Sequence, residues 1–135
     1  MSRENVELRA IAEAAYGALN VGDRDALLAL VAEDVEFTSM VAEAEATTFR
    51  GHAGVREWWE TVRGAFEDVR WTLLGFSTHG DGGVAKIQMA ATLGGLRLEQ
   101  TMWQAAAVQG GQLKWWAFFR SEREALAAIA PLEQR

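Results

Sequence analysis

At 135 residues the chain has room for one compact domain spanning its whole length, since domains usually run to about 100–150 residues. Thirteen Lys+Arg against nineteen Asp+Glu leave a net charge of −6, which argues against nucleic acid as a partner, because phosphate backbones demand clustered positive charge. The absence of cysteine excludes a disulfide scaffold and a thiol nucleophile, two isolated histidines leave little for a metal site, and 50% hydrophobic residues exclude disorder; no metal or cofactor is expected.

The chain opens on charged Ser2-Arg3-Glu4-Asn5 with no apolar stretch behind it, so no secretory signal is read. The longest apolar runs, Ala26 to Ala32 and Ala125 to Leu132, fall short of the roughly 18 residues of a membrane span, and a cytoplasmic protein without a membrane partner is the default. Leu8, Ala12, Ala15 and Leu19 recur at helical spacing and predict an amphipathic helix from Ser2 to Leu19. Gly22 stops it, and Asp23 caps a second, short helix carrying Leu27, Leu28, Leu30 and Val31. From Asp34 to Met40 the period becomes two, which predicts a strand with Val35, Phe37 and Ser39 on one face. Residues 41–48, with Glu43 and Glu45, read as a solvated rim loop leading to a small hairpin that ends at Phe49-Arg50. Gly51 to Gly54 punctuate, and Val55, Trp58, Trp59, Val62 and Phe66 then mark a third helix.

Four strands follow at about 69–78, 84–93, 96–108 and 112–120. Gly94-Gly95 and Gly110-Gly111 supply the positive φ of tight hairpins, so these strands should form an antiparallel meander. Ser121 to Glu124 form a capping box for a last helix that Pro131 ends. The expected order is α-α-β-α-β-β-β-β-α.

Six Trp and six Phe beside one Tyr must be housed in a core, a cavity or an interface. In the last strand Leu113, Trp115, Ala117 and Phe119 alternate with Lys114, Trp116, Phe118 and Arg120, so both faces of the sheet are largely apolar. A few helices cover one face; the second calls for a homodimer packed through the outer sheet near Trp103, Trp115 and Phe119, or for the C-terminal helix folded back over it. On the other face, Arg120 at the end of the Trp116, Phe118 row pairs with an internal carboxylate, awaits an anionic ligand, or sits half solvated beside Ser121.

Ala18 to Asp23, Ala32 to Phe37, Phe49 to Trp59 and Gly110 to Leu113 together give the chain a pattern that resembles the nuclear transport factor 2-like superfamily, and within it the SnoaL-like group of small bacterial proteins. The resemblance covers essentially the whole chain and implies an α+β fold, a cone-shaped curved antiparallel sheet wrapped around the N-terminal helices. It is specific for fold and poor for activity, since this superfold hosts isomerases, cyclases, dehydratases, epoxide hydrolases and binders. The general base of the ketosteroid isomerase branch falls on Ser39, its oxyanion tyrosine one position from Tyr16, its protonated acid on Gln104 and its second tyrosine on Trp59. The usual acid–base set is therefore not matched.

The cavity candidates are Tyr16, Ser39, Trp58, Trp59, Gln100, Met102, Gln104, Trp116, Phe118 and Arg120, which would line an apolar, tryptophan-rich pocket for a small hydrophobic molecule, with an anionic group as one option. Tyr16 is equally readable as a core tyrosine, and the two Trp as core packing. His52 in its turn and His79 at a loop tip read as local structure. The leading expectation is a ligand-binding protein; the alternative is a cofactor-independent isomerase, cyclase or dehydratase in which Tyr16, Gln104 and Arg120 polarise a carbonyl or carboxylate.

Overall fold

The computed structural model describes residues 3–39, 47–65, 67–80 and 82–131. Helix α1 spans Arg3–Val21 and buries Leu8, Ile11, Ala12, Ala15, Tyr16 and Ala18, the stripe its helical period dictates. At its end Gly22 adopts φ 76°, and the Asp23 N–H donates to Ala18 O at 2.9 Å, the closing bond that a left-handed residue after a helix permits. Asp23 then caps α2 (Arg24–Leu30), its carboxylate accepting from the Ala26 N–H at 3.1 Å. No helix among the described residues is long and apolar enough to cross a membrane.

Strand β1 (Val31–Ser39) begins three residues before the sequence period announces it, and pairs with β2 (Thr47–Arg50), the second arm of the small hairpin. Helix α3 (Gly51–Ala65) follows, with Val55, Trp58, Trp59 and Val62 buried. The meander is β3 (Glu67–His79), β4 (Gly82–Leu93), β5 (Leu96–Gln109) and β6 (Gln112–Phe119), and α4 (Glu122–Ile129) closes the chain. The element order is the expected one with β2 added. The sheet runs β2-β1-β6-β5-β4-β3, antiparallel throughout except where β1 lies parallel to β6. Gly94, Gly95, Gly110 and Gly111 all have positive φ, as the two hairpins require.

Register shifts interrupt β3 between Leu73 and Gly75 and β5 between Ala107 and Val108, the kind of irregularity that bends a sheet. The inner face receives α1 and α3: Leu8, Tyr16, Phe37, Val55, Trp58, Ile87 and Met102 belong to one buried cluster. Contact is tight where α1 crosses β4. A Cβ on Gly83 would lie 2.7 Å from the Phe76 ring and 2.9 Å from Leu8, so any larger residue would have to displace both side chains.

Two expectations about β6 are corrected or decided. Trp116 and Phe118 do face inward, but Leu113 joins them rather than Trp115 and Phe119, because the shift opposite Ala107 and Val108 leaves Lys114 as an extra residue and reverses the parity. The outer face is covered in part by α4: Ala125 and Ile129 are buried against Val84 and Ala105, flanked by half-buried Trp103, Trp115 and Phe119. The need for a second apolar layer, from which a homodimer was inferred, is met in part within the chain.

Candidate functional site

Tyr16 reaches the sheet from the middle of α1, and its hydroxyl donates to Oε1 of Gln104 on β5. The register explains the meeting: Gln104 lies opposite Ala85 and Phe118 and shares the inner face with Met102. Tyr16 is 5% exposed, and burial pushes its phenol well above the usual range, because an ionised oxygen would lose its hydration without gaining a cation. Within an apolar shell this is a neutral donor–acceptor pair, suited to orienting a polar group and unable to carry charge.

The shell is aromatic. Phe37 stacks on Trp116 at 4.3 Å between ring centroids and on Phe49 at 5.1 Å, and meets Trp58 edge-on at 6.1 Å. Trp71 joins three parts of this shell, with Phe118 at 6.1 Å, Tyr16 at 6.2 Å and Trp58 at 6.3 Å. Its backbone is clamped from α1: Asn20 Nδ2 donates to Trp71 O, and Trp71 N–H donates to Asn20 Oδ1, each at 2.7 Å. An Asn before a Gly stop reads as turn chemistry, so nothing local in the sequence distinguishes this tertiary clamp.

A recess opens beside this shell, where the end of α1, α3 and the start of β3 converge. Trp58, Trp59, Trp71, Leu19, Val62, Val69 and Arg63 line it, and it holds about 240 Å³ of empty space counted out to solvent. It is shallow, with depth for about one water molecule. Arg63 roofs it, its guanidinium 4.7 Å from the centre of the Trp59 ring and donating to Leu19 O at 2.9 Å.

Of the residues expected to form a pocket, the structure brings Tyr16, Trp58, Met102, Trp116 and Phe118 into the inner cluster, ties half-buried Gln104 to it through Tyr16, and places Trp59 at the recess. Gln100 is half-buried on the same strand face, opposite Met89. Arg120 is exposed just beyond β6, beside the Ser121 cap, which is the solvated of its three readings. The side chain of Ser39, the Glu43/Glu45 loop and Phe66 lie outside the described residues. His52 bonds Val31 O at 3.0 Å, a tertiary tie from α3 to the start of β1 rather than the expected local one, whereas His79 lies 2.8 Å from the Ser77 hydroxyl two residues away. Every Asp and Glu whose side chain is described is exposed, and no three His, Asp or Glu side chains among the described residues converge on a point.

Residues 12–128 match the family model of the SnoaL-like domain. No curated protein matches the chain in sequence. Among solved structures, a hypothetical protein of ketosteroid isomerase-like fold from Catenulispora acidiphila, in complex with trimethylamine, is 20% identical, with a TM-score of 0.72 over 87% of this chain and 89% of that one. A nuclear transport factor 2-like protein of unknown function from Burkholderia pseudomallei is 20% identical, with a TM-score of 0.76 over 96% and 98%. An LEH-like epoxide hydrolase of Mycobacterium tuberculosis is 16% identical, with a TM-score of 0.71 over 95% and 92%. At such identities the likeness is one of fold.

Proposed function

The chain belongs to the SnoaL-like domain family, and on that premise we propose that it binds a small hydrophobic molecule against its tryptophan-rich inner shell. The observation that carries this reading is the Tyr16–Gln104 pair, one neutral polar anchor within a wall of Trp58, Trp71, Met102 and Phe118. Ligand sites have this make-up, apolar walls with a few placed polar groups. The relative that binds trimethylamine supports it by analogy of fold. Exposure of every described carboxylate favours binding over proton transfer, since general acid–base work needs a titratable group at the reacting atoms.

Intrinsic tryptophan fluorescence tests the reading. Titration with a panel of aromatic and alicyclic ketones and acids should give saturable quenching that Tyr16→Phe weakens; no saturable quenching by any of them removes the proposal. The second reading, an isomerase, cyclase or dehydratase, draws on the Gln104 amide N–H, which the bond from Tyr16 leaves uncommitted, as the donor to a carbonyl, and recovery of every bound ligand chemically unchanged excludes it.

For assembly we infer a homodimer through the part of the outer sheet that α4 leaves open. Trp103, Trp115 and Phe119 border that part and are only half-buried, leaving apolar area that a second copy would cover. Light scattering that finds a monomer at every concentration overturns it.

A further inference from the structure

Around the corner from the recess lies a broad open basin lined by Asn20, Arg63, Asp68, Val69, Arg70 and Arg97, with about 1100 Å³ of empty space counted out to solvent. The two adjoin, since Arg63 and Val69 border both. Three arginines from three separate elements, α3, β3 and β5, therefore line one volume in a chain whose net charge is −6. Asp68 supplies the one carboxylate among the lining residues.

Single exposed arginines are satisfied by water and signify nothing. The arrangement here has two further properties. Arg63 is held in place by the Leu19 carbonyl and the Trp59 ring, which fixes the guanidinium while committing one of its five N–H donors. Arg70 and Arg97 have no ion-pair partner among the described residues, and three arginines against the single carboxylate of Asp68 leave the lining net positive. A positively charged concavity beside an apolar wall concentrates anions and orients them by their charged end.

We propose that this mouth selects ligands carrying a carboxylate: the ring system lies across the Trp59 and Val69 side of the recess, and the carboxylate points into the Arg63, Arg70 and Arg97 basin. The proposal rests on the small-molecule reading and adds to it the chemical class of the ligand and the residues that read its charge. Guanidinium and carboxylate pair through two parallel N–H···O bonds, which gives direction as well as attraction. Asp68 opposes the anion, and its backbone holds φ 52°, a left-handed conformation that Asn tolerates equally. This provides a substitution that removes the opposing charge and keeps the turn.

The test compares 1-naphthoate with neutral 1-naphthamide by isothermal titration calorimetry, on the full chain at low salt. The wild type should bind naphthoate about tenfold more tightly than naphthamide, with the preference shrinking as salt is added. Arg70→Gln combined with Arg97→Gln should abolish most of that preference and leave naphthamide binding as in the wild type. Asp68→Asn should strengthen naphthoate binding by about two- to threefold without moving naphthamide. Circular dichroism confirms that each variant is folded. Equal affinity for the two probes overturns the charge selection and leaves the small-molecule reading standing, as does a preference that survives the double substitution. Absence of binding by both overturns the proposal, and the fluorescence panel then decides separately whether the wider reading falls with it.

Discussion

Strand β6 carries Trp116 and Phe118 on one face and Trp115 and Phe119 on the other, and the two pairs meet different surroundings. The inner pair is buried in a continuous aromatic shell supplied by α1, α3, β1 and β3. The outer pair stays half-buried at the margin of α4, an eight-residue helix that shields the strip around Ala105. Identical residue types on one strand thus differ in burial because of what is packed over them, which hydrophobicity alone does not reveal.

The contrast can be broken first at its strongest point. Phe37 is fully buried between Trp116, Phe49 and Trp58, so Phe37→Ala is expected to destabilise by about 3–5 kcal/mol in urea unfolding, through lost burial and an uncollapsed cavity. Phe119→Ala, on the outer face, should cost less than half as much; equal losses would erase the distinction between the faces. The polar pair comes next. Tyr16→Phe strands the Gln104 carboxamide oxygen and should cost about 1–3 kcal/mol, of which Gln104→Leu added to it restores a part.

The same tyrosine sharpens the comparison in alkali. Tyr16 is the chain's one tyrosine, so tyrosinate absorbance reports on it alone. Its folded pKa lies above the unfolded value, so its stabilising contribution is full below about pH 10 and is lost as pH rises toward the folded value. Ionisation should therefore coincide with alkaline unfolding; tyrosinate appearing in the folded protein near pH 10 contradicts the buried site.

On the outer side, Ser121→Ala removes the hydroxyl that accepts the Glu124 N–H and should cost about 1 kcal/mol, read by thermal unfolding together with faster amide exchange in α4. The smallest effect belongs to Asp34, whose carboxyl the Lys114 ammonium holds below the ordinary carboxylate range. That contribution is present above the unfolded pKa and fades as pH falls through the folded one. Because Asp34 is exposed, Lys114→Ala should return its pKa toward the ordinary value by carboxyl NMR and leave the neutral-pH urea midpoint in place.

Much of the architecture was legible because it rests on local chemistry. Helical spacing marked α1 and α3, Asp23 and Ser121 announced their caps, and the Gly-Gly pairs announced two hairpins. The site was legible to the extent that strand parity governs it: Trp116, Phe118, Met102 and Gln104 share an inward face as alternation requires. Arg120 escaped that logic because it stands one residue past the end of the strand, where the chain turns into the α4 cap and the side chain reaches water. Leu113 escaped it because one extra residue inverts parity, and a register shift leaves no mark in composition.

By itself, then, the order of residues determined the elements, their turns and the alternation of faces, since these depend on neighbours within a few positions. The tertiary structure alone decided that β1 lies parallel to β6, that Asn20 clamps Trp71, that Tyr16 spends its proton on Gln104, and that Arg63, Arg70 and Arg97 line one basin. Each of these joins segments far apart in the chain, and their meeting is set by how a bent sheet and two helices pack, a constraint distributed over the whole core.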